Sequence, residues 1–475
     1  MHYTGIYYKP SKKLYYSLRF RHFTQLNDII KTTIYKQLKK SLSPLKIEPH
    51  ELEENSTQGF SRLFKKRGEV VEYKIFRNNI ILSVNYITEF INLPSVVFDR
   101  EKARKKLSTS YFYYEPDYFS STHMPKIFSY FFKGNNLQKV IVAEAYTLQF
   151  YIKQYIKQYG SLYKNDRIII PDVLDFMIYI LSKNAYLRIF GNKLSKRPDV
   201  AKILNDVTAI EYQKNTLKLK IIELWNYLRY YKSAKDMNVL SEIISTEINK
   251  FDGSIPDSRN ISLIELLAKN PEFLKDTSSL SITSGLVQTF KSMIIIPPSR
   301  LLSILIDISI DPNILSLLSS EQTDIIEEFG VKYDLNIFKK MPILHRVIMK
   351  SLLQSSSASY MDRQLNQNVV LSNGITLKKN SVVSINMFSH YHSETKESKN
   401  LNINSTNFQL LWGYGEHACP YSEYSLIQIK LVISILIRSF DITSHFHQTQ
   451  QPHPGYIQLK SVVPKVATML VVKKN

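Results

Sequence analysis

A mainly α-helical fold with small β-sheets, of the α+β class, is what the sequence predicts, on three observations. Apolar residues recur at three- and four-residue spacings through long stretches in which breakers are sparse, 13 glycines and 18 prolines in 475 residues. Segments rich in β-branched and aromatic residues are short and fall near the two ends of the chain. Hydrophobic residues at 44% and charged residues at 22% can fill a large core, which excludes a disordered chain and a small disulfide-stapled domain.

Residues 14–42 are basic and tyrosine-rich, with Leu, Ile and Phe at helical spacings up to the stop at Pro44, so residues 1–50 are expected to form a basic amino-terminal arm and residues 51–475 a single domain. The arm has neither the apolar core of a signal peptide nor the roughly 20-residue run of a membrane span. Val70 to Leu82 reads as two short strands turning at Asn78 and Asn79. From Leu137 to Asn249 a helical pattern runs through Ile141, Leu148, Ile152, Leu174, Ile178, Leu181, Ile222 and Leu228. The most apolar stretches, Arg167 to Leu181, Ser292 to Ile310 and Leu426 to Ile437, are interrupted by charge or proline or are too short to span a bilayer, and read as buried helices. Helices are also expected at Leu301 to Ile310, Pro312 to Phe329 and Leu344 to Leu353. Val369 to Leu377, with its Asn373-Gly374 turn, and Ser381 to Met387 look like a hairpin, and Val462 to Val472 repeats the strand signal around Pro464.

The chain has one cysteine, so no internal disulfide can form. It lies in Trp412-Gly413-Tyr414-Gly415-Glu416-His417-Ala418-Cys419-Pro420, directly before an apolar helix from Leu426 to Phe440. Gly413 and Gly415 let the loop curl and bring amide N–H groups toward a sulfur. Pro420 suits a first helical turn, where no backbone donor is needed. A thiolate at a helix amino end is stabilised by the dipole and the free N–H groups, and such a thiolate can ligate iron. Two other readings of Cys419 stay open: a small hydrophobe packed before a helix, and a nucleophile, although no Cys-nucleophile signature surrounds it.

On these residues the chain resembles the haem-binding loop of the cytochrome P450 family, Phe-x-x-Gly-x-x-x-Cys-x-Gly. Trp412 stands for the Phe, Gly415 and Cys419 match, and Tyr421 replaces the last Gly. The fungal form of the loop is matched by His417 to Pro420 and by Phe440-Asp441 at the end of the helix. Further landmarks fall in the family's order. Arg188 to Leu194 is similar to a segment of fungal microsomal members related to ent-kaurene oxidase. Leu305 to Ile308 with Asp311-Pro312 is similar to the end of the long central helix, Met341 to Leu344 to the entry of the next conserved helix, and Arg363 to an arginine eleven residues before the Gly374 turn. The resemblance implies a triangular, helix-rich prism with haem b, iron protoporphyrin IX, between the central long helix and the helix after the Cys loop. It implies Cys419 as proximal iron ligand, His417 and Arg363 as propionate contacts, and Trp412, Gly413 and Gly415 as the haem loop. For Arg363 a plain surface arginine is the alternative.

Three departures stand out. The family's Glu-x-x-Arg should fall at residues 350–353, which read Lys350-Ser351-Leu352-Leu353, and the meander before the haem loop is short. Losing all the charged partners together is less costly than leaving one buried and alone. The oxygen-activating alcohol should fall within Met293 to Ser299, where Pro297 and Pro298 stand instead; two prolines are expected to break the helix, at about 3 kcal/mol or more. Ser299, Ser292 and Thr289 are the candidate substitutes, and no catalytic residue can be named. Third, the family's membrane anchor is missing.

The resemblance therefore implies a haem-thiolate monooxygenase that inserts one oxygen atom from O2 into an apolar small molecule, in fungal terpenoid or polyketide secondary metabolism. Electrons would come from NADPH through the NADPH-cytochrome P450 reductase, whose acidic surface suits a chain of net charge +21. The place implied is the cytosolic face of the endoplasmic reticulum, held by a peripheral contact of Lys12, Lys13, Arg19 and Arg21 with an anionic membrane surface, or otherwise the cytoplasm. The alternative is a degenerate, non-catalytic P450-like protein. A nucleic-acid partner is not expected, because the bases are scattered and no zinc-ligand spacing, phosphate loop or ribonucleoprotein motif organises them.

Overall fold

The computed structural model of the chain describes residues 70–73, 79–94, 96–99, 102–103, 127, 129–163, 167–170, 172–209, 235–251, 261–275, 277–355, 360–385, 410–414, 418–444, 456–458, 462–464 and 470–474. The expected basic arm lies outside these residues. In chain order the elements are β1 (Val70–Tyr73), β2 (Asn79–Leu82), α1 (Ile87–Ile91), β3 (Phe98–Asp99), α2 (Gly134–Tyr159), β4 (Ser161–Tyr163), β5 (Arg167–Ile170), α3 (Val173–Ser195) and α4 (Pro198–Ala209). A helix over 235–249, α5, follows. Next come α6 (Leu263–Lys269), α7 (Ser279–Ile310), α8 (Pro312–Phe329), α9 (Leu335–Lys339) and α10 (Pro342–Gln354). The chain ends with β6 (Tyr360–Leu365), β7 (Val369–Val370), β8 (Thr376–Leu377), β9 (Val382–Ile385), α11 (Ser422–Ser439), β10 (Phe440–Ser444), β11 (Tyr456–Gln458), β12 (Val462–Pro464) and β13 (Leu470–Lys474).

Two compact units are woven from separate segments: Met1–Ser120, Arg197–Leu240 and Ala358–Glu394 in the first, Ser121–Lys196, Ser241–Ser357 and Thr395–Asn475 in the second. In the first unit, the described strands form a sheet of order β1-β2-β9-β6-β3. The expected pair β1–β2 is antiparallel, with Val70 opposite Leu82. Asn373-Gly374 turns the small hairpin β7–β8, with Gly374 at φ 82°. Residues 382–385 do not extend that hairpin as expected; they form β9 between β2 and β6, buried at every position, so the alternation of β-branched and polar residues expected over Ser381 to Met387 does not mark an inner and an outer face.

The second unit is built on α7, which packs against α3, α8, α10 and α11. Its helix starts are set by short polar side chains: Asp172 accepts from the Asp175 N–H at 2.8 Å, Ser262 and Glu265 form a capping box at α6, and Asp311 caps α8 ahead of Pro312. α3 kinks at Gly191, φ 72°, where a Cβ would stand 3.0 Å from Ser262 Oγ, so this glycine admits the capped start of α6. From Gln428 to Ile437 every residue of α11 is buried, each large apolar side chain contributing about 1.5–3 kcal/mol.

Two expectations are corrected here. Residues 167–170 are a strand, β5, paired with β4 and β13; the helix begins only after Pro171-Asp172, at Val173. The Pro297-Pro298 pair does not break its helix: α7 runs unbroken over 32 residues, with both prolines inside. The bonds lost are those to the Met293 and Ile294 carbonyls. Packing on four neighbouring helices offsets that loss. Among the described helices α7 alone is long and apolar enough to cross a membrane, and 71% of its apolar window is buried within the protein, as suits a core helix.

Candidate functional site

The loop ahead of α11 is closed by its own backbone. Gly413, at φ 91°, donates to the Leu410 carbonyl at 3.1 Å, a conformation glycine reaches without strain. The Cys419 N–H donates to the Trp412 carbonyl at 2.6 Å, and Ser422 N–H to the Cys419 carbonyl at 3.3 Å. Cys419 forms no disulfide and is half-buried, standing just before a helix that is buried from Gln428 to Ile437. Pro420 is not in the first helical turn as expected; it belongs to the turn before it, and Tyr421 is the N-cap. Gly415 and His417 lie outside the described residues.

Tyr421 turns away from solvent toward α7. Its hydroxyl lies 3.0 Å from Thr289 Oγ1, and its ring meets Phe132 edge-on at 5.5 Å. Burial pushes the phenol far above its ordinary range; the Thr289 bond opposes that shift and the nearby Cys419 adds to it.

Beneath the loop, α11 enters a buried polar cluster. Glu144 on α2 is fully buried and accepts from Asn184 of α3 at 2.6 Å, from Tyr424 at 2.6 Å and from Gln428 at 3.2 Å. Burial raises the Glu144 carboxyl, while the Tyr424 bond and the Arg188 charge pull it back. Arg188, also fully buried, is lowered by burial, and donates to the Ile261 carbonyl at 2.9 Å. Sequence reasoning missed this cluster, although a lone carboxylate inside the apolar run from Val140 to Ala145 signalled it.

Of the candidate alcohols on α7, each spends its proton on a helix carbonyl: Thr289 on Gly285 at 2.8 Å, Ser292 on Gln288 at 3.0 Å, Ser299 on Ile296 at 2.8 Å. Lys350 is exposed and Leu353 buried. Arg300 of α7 instead donates to the Ser355 carbonyl at the end of α10. Arg363 belongs to the first unit, on β6. It is 5% exposed, which overturns the surface alternative, with its guanidinium 5.2 Å from the Phe98 ring centroid and a bond to the Asp362 carbonyl at 3.1 Å.

Among the described loop residues, Cys419 supplies one soft sulfur on a half-buried residue ahead of a long, largely buried helix, a donor that fits thiolate ligation of a haem iron. Among the described residues no group of three His, Cys, Asp or Glu side chains could hold a bare metal ion.

No family model matches the chain. A segment is 24% identical over 159 residues to cytochrome P450 monooxygenase 1 of Gibberella fujikuroi, covering 29% of this chain and 36% of that protein, so the match spans little more than a third of the relative's length. The fold is similar to that of the haem domain of cytochrome P450DA, at a TM-score of 0.68 and 13% identity, over 91% of this chain and 96% of that domain. A triply substituted form of the same domain matches at 0.68 and 14% identity.

Proposed function

We propose that the chain, whose fold is similar to that of solved cytochrome P450 haem domains and a segment of which is similar to a fungal cytochrome P450 monooxygenase, is a divergent member of that family, a haem-thiolate monooxygenase acting on an apolar small molecule. The carrying observation is Cys419: the chain's sole cysteine, half-buried, in a loop closed onto Trp412 at the head of α11. In this reading Cys419 would be the thiolate ligand of the haem iron, and the resemblance assigns Trp412, Gly413 and Gly415 to its loop and His417 and Arg363 to the propionates. When bound, haem b supplies the redox iron at which dioxygen is reduced and one of its atoms is inserted into substrate. Delivery of electrons from NADPH through a reductase with an acidic face suits the net charge of +21. A role in fungal secondary metabolism, at the endoplasmic reticulum or in the cytoplasm, extends the same reading, supported by the likeness to the Gibberella protein.

The test is a carbon monoxide difference spectrum of the reduced full chain. A red-shifted thiolate Soret band is expected, and Cys419→Ser should lose it while keeping a folded far-ultraviolet spectrum. A wild-type chain that takes up no haem, or a Cys419→Ser chain with an unchanged band, ends this reading. A second reading, a haem-binding relative without turnover, is favoured by the α7 alcohols, all bonded to carbonyls of their own helix, and by Pro297 and Pro298 in the stretch where the family carries its alcohol. It is separated by product formation: the band present with NADPH consumed and no oxygenated product is the outcome that selects it.

A further inference from the structure

The contact between Tyr421 and Thr289 has a direction that can be worked out. A hydroxyl has one hydrogen to donate. That of Thr289 goes to the Gly285 carbonyl at 2.8 Å, within its own helix. The 3.0 Å contact between Thr289 Oγ1 and Tyr421 Oη is therefore donated by the phenol.

Tyr421 is also fixed from its other sides. Its carbonyl accepts from the Ser425 N–H at 2.8 Å, starting α11, and its ring shares Phe132 with Tyr424, at centroid distances of 5.5 Å and 4.3 Å. One residue thus ties three things together: the loop two residues on from Cys419, the first turn of α11, and the side of α7 at Thr289.

We propose that Tyr421 is a positioning residue, a latch whose O–H donated to Thr289 fixes the Cys419 loop against α7 and so sets where the sulfur stands. Its meaning for ligation rests on the haem-thiolate reading above, while the latch itself does not. Tyr421→Phe removes the bond and keeps the ring on Phe132, and Thr289→Val removes the acceptor at nearly constant volume. Thr289→Ser restores it.

Because Cys419 is the only thiol in the chain, iodoacetamide reports on this loop alone. In the full chain expressed without haem precursor, Tyr421→Phe and Thr289→Val should each speed alkylation by about three- to tenfold, the range one hydrogen bond gives. The double variant should be no faster than either single one, and Thr289→Ser should alkylate at the wild-type rate. In the haem-loaded chain the same two variants should lose part of the thiolate Soret band under carbon monoxide, with Thr289→Ser keeping it. Wild-type alkylation rates in both Tyr421→Phe and Thr289→Val, or additive effects in the double variant, overturn the latch. A wild-type chain that never shows the band but does show the coupled alkylation differences keeps the latch and overturns the haem reading instead.

Discussion

Asp307 on α7 has its carboxyl pushed up to about 6 by burial, with the Ser351 hydroxyl and the Lys350 charge pulling the other way. The folded chain then holds this proton more tightly than the unfolded one, whose carboxyl titrates near 3.8. Stability from this group is complete below the unfolded value, is lost as pH rises toward about 6, and is flat above that. Asp307→Asn should remove the slope: urea midpoints of wild type and variant should diverge between about pH 4 and pH 7, by up to about 3 kcal/mol in the free-energy difference. Parallel profiles would refute the assignment. At this scale the sequence was most readable where chemistry is local. Gly413, Cys419 and Pro420 lie within eight positions of one another, and their pattern speaks by itself. Glu144 was unreadable for the opposite reason, since its partners Asn184 and Tyr424 lie 40 and 280 residues away and only the packed helices bring them to it.

Helix α10 stands without the charged pair that the resemblance places at residues 350–353. Its N-terminus has no cap of its own; Glu321 of α8 supplies one, accepting from the Ile343 N–H at 2.6 Å and the Leu344 N–H at 2.9 Å. Lys430 of α11, buried, donates to the Phe338 carbonyl at 3.0 Å, just before α10, and its charge acts on Glu321. Glu321→Ala orphans two helix-start amides and should lower stability by about 2–3 kcal/mol, read as a shift in denaturant midpoint at unchanged slope. Glu321→Gln, which keeps one acceptor, should lose less. Element types were legible for long periodic helices and much less so for strands. β4 and β5 are short, and β5 is defined by pairing with β13, some 300 residues on. Within the Arg167 to Leu181 run the helix start was nonetheless written as Pro171-Asp172.

At the scale of the whole molecule, the chain divides into two compact units threaded from three segments each, a division that no composition shift announces. Element order along the chain was the readable signal for the fold, which is similar to a solved haem domain at only 13% identity. Haem bound by the folded chain alone should stabilise all of it: at a free concentration a hundredfold above the dissociation constant, by about 2.7 kcal/mol. Calorimetry should therefore show a higher melting temperature for the loaded chain than for the same chain made without haem, with the gap shrinking in Cys419→Ser; equal melting temperatures would contradict haem binding. The proline pair carries its own corollary for motion. Pro297 and Pro298 have no exchangeable amide, so deuterium uptake along α7 is recorded as two tracts with a silent pair between them. The amino-terminal tract is fastened to the Cys419 loop through Thr289, and the carboxy-terminal tract to the end of α10 through Arg300. Uptake in each tract thus reports on its own fastening, the first on Tyr421 and the second on the Ser355 carbonyl.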